Sequence, residues 1–251
     1  MPTFIHGKDS KVYLDEFDLT SYFTNVDVAL SNETSETTSF GATSKSYLLG
    51  LADGTLSMSG LWAAETDGSD EELQAILGSA TTPLITVAES AGTIGNRATV
   101  AKAHETNYTI SNPVADVVSI TADFQGSTDA VSNLTYGITS GVQLTAGASI
   151  AYGSLGDLAS VDNAASSANG GVGVLHVPTN SVSGGATTIK IQHSANDATW
   201  ADLISFTAVS ASTATSQMSA VAGTVNRYLR ATASTAGSSG SITFMVSFAR
   251  F

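Results

Sequence analysis

The side chains that could do chemistry are few and scattered. The four histidines, His6, His104, His176 and His193, stand alone, with no spacing that sets two on one helix face or a carboxylate beside one in a metal-binding pattern. His193 shares an apolar strand face with Ile189 and Ile191, where a hydrogen-bonded core histidine is the simpler reading. The run Asp70-Glu71-Glu72 offers the paired carboxylates that acid–base hydrolysis of a glycosidic bond needs. Ser69 before it, and Leu73, Ile76 and Leu77 after it, instead read as the start of a short helix, with Ser69 as N-cap, Glu72 closing a capping box and acids favoured in the first turn. There is no G-x-S-x-G elbow, no P-loop and no G-x-G-x-x-G. Trp62 and Trp200 could each stack on a sugar. Trp62 continues an alternating strand and reads as a core residue, and Trp200 lies at a strand's edge. The chain has no cysteine, which excludes disulfides and thiolate metal sites. No catalytic, metal or cofactor site is expected, and the chain is not read as an enzyme.

What remains is architecture. A chain of 251 residues buries a substantial core, as one large all-β unit or two of ordinary size. Only 12% of its residues are charged, about half the usual share, and Ser, Thr, Gly and Ala fill the gap. Residues 1–130 hold 18 Asp or Glu against 5 Lys or Arg, a net of −13, whereas residues 131–251 hold 4 of each and are neutral. A protein that grips DNA neutralises phosphates with Lys and Arg, so this composition excludes a DNA binder. An acidic wall would repel DNA at every point and let it slide. The start, MPTFIHGKDSK, has no apolar signal region, and no stretch approaches the ~18 apolar residues of a membrane span, so no membrane step is expected.

The pattern predicts an all-β chain with one short helix. Val12 and Leu14 begin a strand, and Phe17, Leu19, Tyr22 and Phe23 follow among acids as an arm. Val26, Val28 and Leu30 share one strand face, and Leu56, Met58 and Trp62 share another. Between them the sequence predicts a long polar loop over 39–51, carrying Tyr47-Leu48-Leu49, and a turn at Asp53-Gly54. The helix is expected over 70–77, stopped by Gly78. Strands are predicted at 84–88, 98–103, 108–111 and 117–125, then a small-residue linker from Gly126, GSTDAVSN, dividing a first unit (1–130) from a second (131–251). In the second unit alternation returns in TIKIQHS, WADLISF, RYLRATA and SITFMVSF, which reads as a second β-sandwich.

The combination of KVYLDEFDLTSYF, TTSFGATSKSYLLGLADGTLSMSGLW and DEELQAILG, across roughly residues 1–126, resembles a major tail tube protein of long non-contractile-tailed (siphovirus-like) phages. The resemblance implies a β-sandwich with one flanking helix, assembled into hexameric rings that stack into a tube through which DNA leaves the capsid. It implies a subunit interface built from Phe40, Tyr47, Leu48, Leu49 and Leu51 of the loop and Phe17, Tyr22 and Phe23 of the arm. The implied partners are copies of the chain itself, the tape measure and tail terminator proteins, and DNA that passes without specific binding. The implied location is the virion tail, assembled in the host cytoplasm. The segment IKIQHSANDATWADL resembles small sandwich modules appended to phage virion proteins, which makes the second unit an accessory domain. Two other readings stand beside this one: a capsid decoration protein with the same β-rich profile, and a carbohydrate-binding module resting on Trp200 and Tyr228.

Overall fold

The computed structural model describes residues 6–90, 92–127 and 134–251. The first half contains β1 (Lys11–Leu14), β2 (Phe17–Asp18), β3 (Phe23–Glu36), β4 (Tyr47–Leu61), α1 (Ser69–Ile76), β5 (Leu84–Ala88), β6 (Arg97–Ser111) and β7 (Ser119–Gly126). The second half contains β8 (Ile138–Gln143), β9 (Ser149–Ala151), β10 (Val161–Asp162), β11 (Gly171–Asn180), β12 (Thr187–Ser194), β13 (Ala201–Ser205), β14 (Thr215–Val221), β15 (Tyr228–Thr235) and β16 (Ser241–Arg250). The chain is all-β with a single α-helix among the described residues, and its antiparallel sheets pack as sandwiches.

Two hydrophobic cores follow the two halves. In the first, Leu56 and Met58 of β4 and Ile120, Ala122 and Phe124 of β7 face Val12, Leu14, Ile85 and Val87 across the sandwich, with Leu73 of α1 closing one side. In the second, Ile189 and Ile191 of β12 and Leu229, Ala231 and Ala233 of β15 face Ile242, Phe244, Val246 and Phe248 of β16. The alternation of large apolar residues in SITFMVSF thus marks a core face, as the sequence predicts. β16 is also buried on its other face, at Met245, Ser247 and Ala249.

That second buried face exists because one sheet runs through both halves, in the order β14-β11-β16-β8-β6-β5-β1-β2. β8 bridges them, pairing Val142 with Arg97 of β6 and with Phe248 of β16. The sheet curls so that Leu84 and Val100 of the first half pack against Val174 and Met218 of the second, and Tyr13 and Ala88 pack against Met245. Beyond Ser127 the linker expected from composition lies outside the described residues, as do residues 1–5. The halves are therefore joined by strand pairing as well as by the chain. The division at about residue 130 follows the two cores and is retained as a proposal.

Several local expectations are corrected. The 39–51 loop is shorter than predicted: β3 continues to Glu36 and β4 begins at Tyr47, with Glu36 opposite Tyr47 and Thr34 opposite Leu49. Three adjacent apolar residues break a period of two, and a bulge at Gly50-Leu51 shifts the register, so the strand is not visible as alternation. Asp53-Gly54 is not a turn but strand, opposite Ser31 and Leu30. Glycine is required there because the Tyr136 carbonyl crosses where a Cβ would stand. The helix starts one residue early, with Gly68 at the N-cap position. Ser69 is not the cap, since its hydroxyl donates to the Leu61 carbonyl at 2.9 Å, and it is Glu71 that accepts from the Asp67 N–H at 3.1 Å. Gly78, at φ +73°, stops the helix as predicted. Trp62 does not join the core; it lies just past β4 and is 37% exposed.

Candidate assembly surfaces

The first-half sheet β3-β4-β7-β6 carries every surface of interest. Its partnered rows are fixed by register. On the core face, Val28, Leu56, Phe124 and Glu105 form one row across four strands. On the opposite face the matching row is Asp27, Ser57, Asp123 and Asn107. Ser57 donates to Asp123 at 2.6 Å and Asn107 donates to it at 2.9 Å, and these bonds hold the Asp123 carboxyl below the ordinary range. The next row is Asn25, Ser59, Thr121 and Thr109. Alternation brings only small polar or acidic side chains to this face from these rows, with neither Lys nor Arg among them.

The same sheet is open on both sides. β3 pairs with β4 alone, so its outer edge has no strand partner among the described residues. At the other side β6 pairs with β5 up to Lys102, and no strand accompanies His104–Ser111 beyond β7 among the described residues. Open edges of this kind are templates for another strand.

Beyond Gly54 the β3–β4 ribbon leaves its own sandwich. β7 accompanies β4 only as far as Thr55, so the distal ribbon is two strands wide. Its tip is ordered within itself: the Thr37 N–H donates to Ser46 O at 2.8 Å, and Lys45 pairs with Glu36 at 3.0 Å. Every residue from Asp27 to Leu51 is exposed. Phe40, Tyr47, Leu48, Leu49 and Leu51, read from sequence as interface residues, are together here at 111, 56, 64, 67 and 75% exposure. Such a ribbon is marginal alone in water and gains from a covering surface. Phe17, Tyr22 and Phe23 are placed differently. They are half-buried against their own core, and the Tyr22 hydroxyl donates to Glu65 at 2.5 Å. The arm expected at these residues packs on its own subunit.

A second exposed apolar group lies at the opposite end of the sheet. Leu61 ends β4 and Trp62 follows it, Ile110 nears the end of β6, and Val114 and Val117 occupy the β6–β7 connection, at 43, 37, 40, 108 and 62% exposure. The Trp62 N–H donates to Val118 O at 3.1 Å, which ties these segments together. This group is invisible in the sequence because a short connection has no period to reveal its valines.

Among the described residues of the second half no reactive groups are assembled into a site. The Arg230 guanidinium lies 4.3 Å over the Trp200 ring, bonds Gln192 and pairs with Asp157 at 2.9 Å, so that face of the indole is covered. His193 accepts from the Asn226 N–H at 3.2 Å, in keeping with a hydrogen-bonded structural role. Among the described residues no group of three or more His, Asp or Glu is placed to hold a metal ion, and no helix is long and apolar enough to cross a membrane.

No protein-family model matches the chain, and no curated protein sequence does. Some solved structures show a distant likeness to it. A chain from the virion of the native gene transfer agent particle is 17% identical, with a TM-score of 0.41, covering 50% of this chain and 96% of that one. A chain of the anti-feeding prophage baseplate is 12% identical, with a TM-score of 0.41, over 56% and 95%. The SPP1 Dit protein, described as a hub of the adsorption apparatus in phages infecting Gram-positive hosts, is 13% identical, with a TM-score of 0.34, over 90% and 98%. At such scores these likenesses carry no functional argument, and the geometry of the chain has to.

Proposed function

We propose that this chain is a structural protein of a phage tail, and that copies of it close side by side into rings that stack into a tube. The observation that carries this reading is the first-half sheet, open at both long edges and extended by an apolar ribbon that its own chain leaves bare. Pairing the β3 edge of one copy with the 104–111 edge of β6 in the next repeats without change and removes both open edges. The core face of this sheet is already covered by β1, β5 and α1, so the face that remains to line a bore is the Asp27–Ser57–Asp123–Asn107 face. Its acidic and small polar side chains offer no cation to phosphate, which suits a conduit through which DNA slides. The second half, packed behind the covered face, then lies on the outside of the tube.

Negative-stain microscopy of the purified chain tests the proposal. Rings or tubes are the expected result. Particles that stay monomeric at every concentration, or that bind capsids without associating with one another, would overturn it.

A further inference from the structure

The turn that leads into β11 joins two residues under opposite constraints. Gly170, at φ +79°, is fixed by packing: a Cβ there would run into the Val221 carbonyl oxygen, so only glycine fits. Asn169 before it is held by nothing. Its side chain is exposed and makes no hydrogen bond among the described residues. It is also the only asparagine of the chain that a glycine follows. Other asparagines have work to do. Asn96, Asn107, Asn163 and Asn180 donate through their side-chain amides at 2.7, 2.9, 3.2 and 2.9 Å. Asn196 accepts from the Ala198 and Thr199 N–H groups, and Asn112 precedes a proline, which has no N–H.

The backbone after Asn169 is equally uncommitted. The Gly170 N–H donates to no acceptor among the described residues, while the Gly170 carbonyl accepts from the Phe251 N–H at 3.2 Å. On the other side of the turn Ser167 and Val225 exchange two backbone hydrogen bonds, at 3.0 and 2.9 Å. Both ends of the turn are thus pinned, and Asn169 stands exposed between them. A free side-chain amide is followed directly by a free backbone nitrogen, on a residue with no side chain to shield it.

We propose that Asn169–Gly170 is a site of spontaneous covalent modification, at which the asparagine amide becomes a carboxylate. Asparagine is among the residues that heat and time degrade. The Gly170 nitrogen attacks Asn169 Cγ and the new N–Cγ bond closes a succinimide ring. The Cγ–Nδ2 bond breaks, and ammonia leaves with the proton of the Gly170 N–H. Water then opens the ring. Attack at Cγ gives aspartate, and attack at the main-chain carbonyl gives isoaspartate, whose backbone runs through Cβ and Cγ. Water is the only co-reactant, and no oxidant or metal enters. The modification does not depend on the tube reading.

Either product adds one negative charge to a half that is otherwise neutral. The charge arrives beside an arginine that lacks an acid. Gly171 lies opposite Arg250, whose guanidinium donates to Ser167 Oγ at 3.2 Å and to the Val225 carbonyl at 2.8 Å, and which pairs with no carboxylate among the described residues. A carboxylate at 169 is therefore drawn toward positive charge rather than pushed from negative charge. The extra backbone methylene of isoaspartate falls in the exposed part of the turn, between its two pinned ends, so β11 is expected to keep its register.

The test holds the native chain in mildly alkaline buffer and follows it by isoelectric focusing. Tandem mass spectrometry of its peptides locates the change, and isoaspartyl methyltransferase labelling identifies the isoaspartate. Wild type is expected to accumulate a form one charge more acidic, running with fresh N169D, with the new acid and the label confined to residue 169. N169Q, whose longer side chain closes a less favourable ring, should stay at its starting position. Residue 169 is exposed, so both variants are expected to fold, and thermal unfolding checks this. No acidic form from wild type, an equal shift in N169Q, or conversion led by another asparagine would overturn the proposal. So would conversion in urea but not in the native chain, because the folded turn would then protect the amide that the structure leaves open.

Discussion

Glu105 stands in the core row beside Phe124, Leu56 and Val28, 5% exposed, and neither carboxylate oxygen has a hydrogen-bond partner. Burial alone pushes its pKa up to about 8, so the folded chain holds it as the neutral acid. The sign of the pH effect follows. The unfolded chain releases this proton from about pH 4.5, the folded chain only near 8, so stability falls as pH rises through that window and levels off above it. Glu72, raised to about 7 by burial and by the acids around it, adds to the same slope. Glu105→Gln is expected to flatten the slope and to gain about 2–4 kcal/mol relative to wild type at pH 8 compared with pH 5, since each tenfold change in proton affinity is worth about 1.4 kcal/mol. Urea unfolding at the two pH values measures this, and parallel pH dependences for both proteins would refute it. Composition places such an acid in the acidic half but not in the core. Alternation from Ala101 and Ala103 carries it inside, and the bulge between Glu105 and Asn107 changes the facing of β6 only beyond it.

At the scale of elements, the ribbon is where sequence and structure agree on residues and differ on form. Tyr47, Leu48 and Leu49 are legible in the sequence as exposed apolar residues in a polar setting, yet they belong to a strand. Replacing all three by Ser is therefore expected to leave unfolding of the isolated chain within about 1 kcal/mol of wild type, as for exposed sites, while abolishing tube growth. Equal growth by light scattering would return the ribbon to a mere surface hairpin. Gly54 gives an opposite test. If Asp53-Gly54 were a turn, alanine at 54 would act only locally; because the Tyr136 carbonyl crosses a buried strand position, Gly54→Ala is expected to cost about 1–3 kcal/mol. A variant as stable as wild type in urea would contradict that crossing. Strands with one buried face, such as β7, are readable from alternation, and β16 is readable because its large residues alternate even though both faces are covered. β11, GVGVLHVPTN, is not, since its run from Gly171 to Val177 is buried on both faces and shows no period. The exposed group at Val114 and Val117 depends on where a connection lies relative to strand ends, which no local pattern encodes.

For the whole molecule, the decisive feature is the buried polar contact between halves. His176 of β11 donates through Nδ1 to the Asp15 carbonyl at 2.5 Å, its Nε2 accepts from the Thr86 hydroxyl at 2.7 Å, and its ring stacks on Tyr13 at 5.6 Å. A neutral imidazole satisfies both bonds, and burial lowers its pKa to about 4. Its contribution is thus fully present above the unfolded value of about 6.5 and is lost as pH falls toward 4. Because Thr86 and Asp15 come from the first half and His176 from the second, and because β8 carries one sheet across the same junction, the halves are expected to unfold together. Calorimetry should show one transition. Thr86→Val, which keeps the shape but leaves Nε2 without its donor, should lower that single transition as a unit, costing about 1–3 kcal/mol. Two transitions, with only one displaced by the substitution, would mean that the halves are separate bodies on a tether, and that the second could be removed without consequence for the sheet that forms the proposed wall.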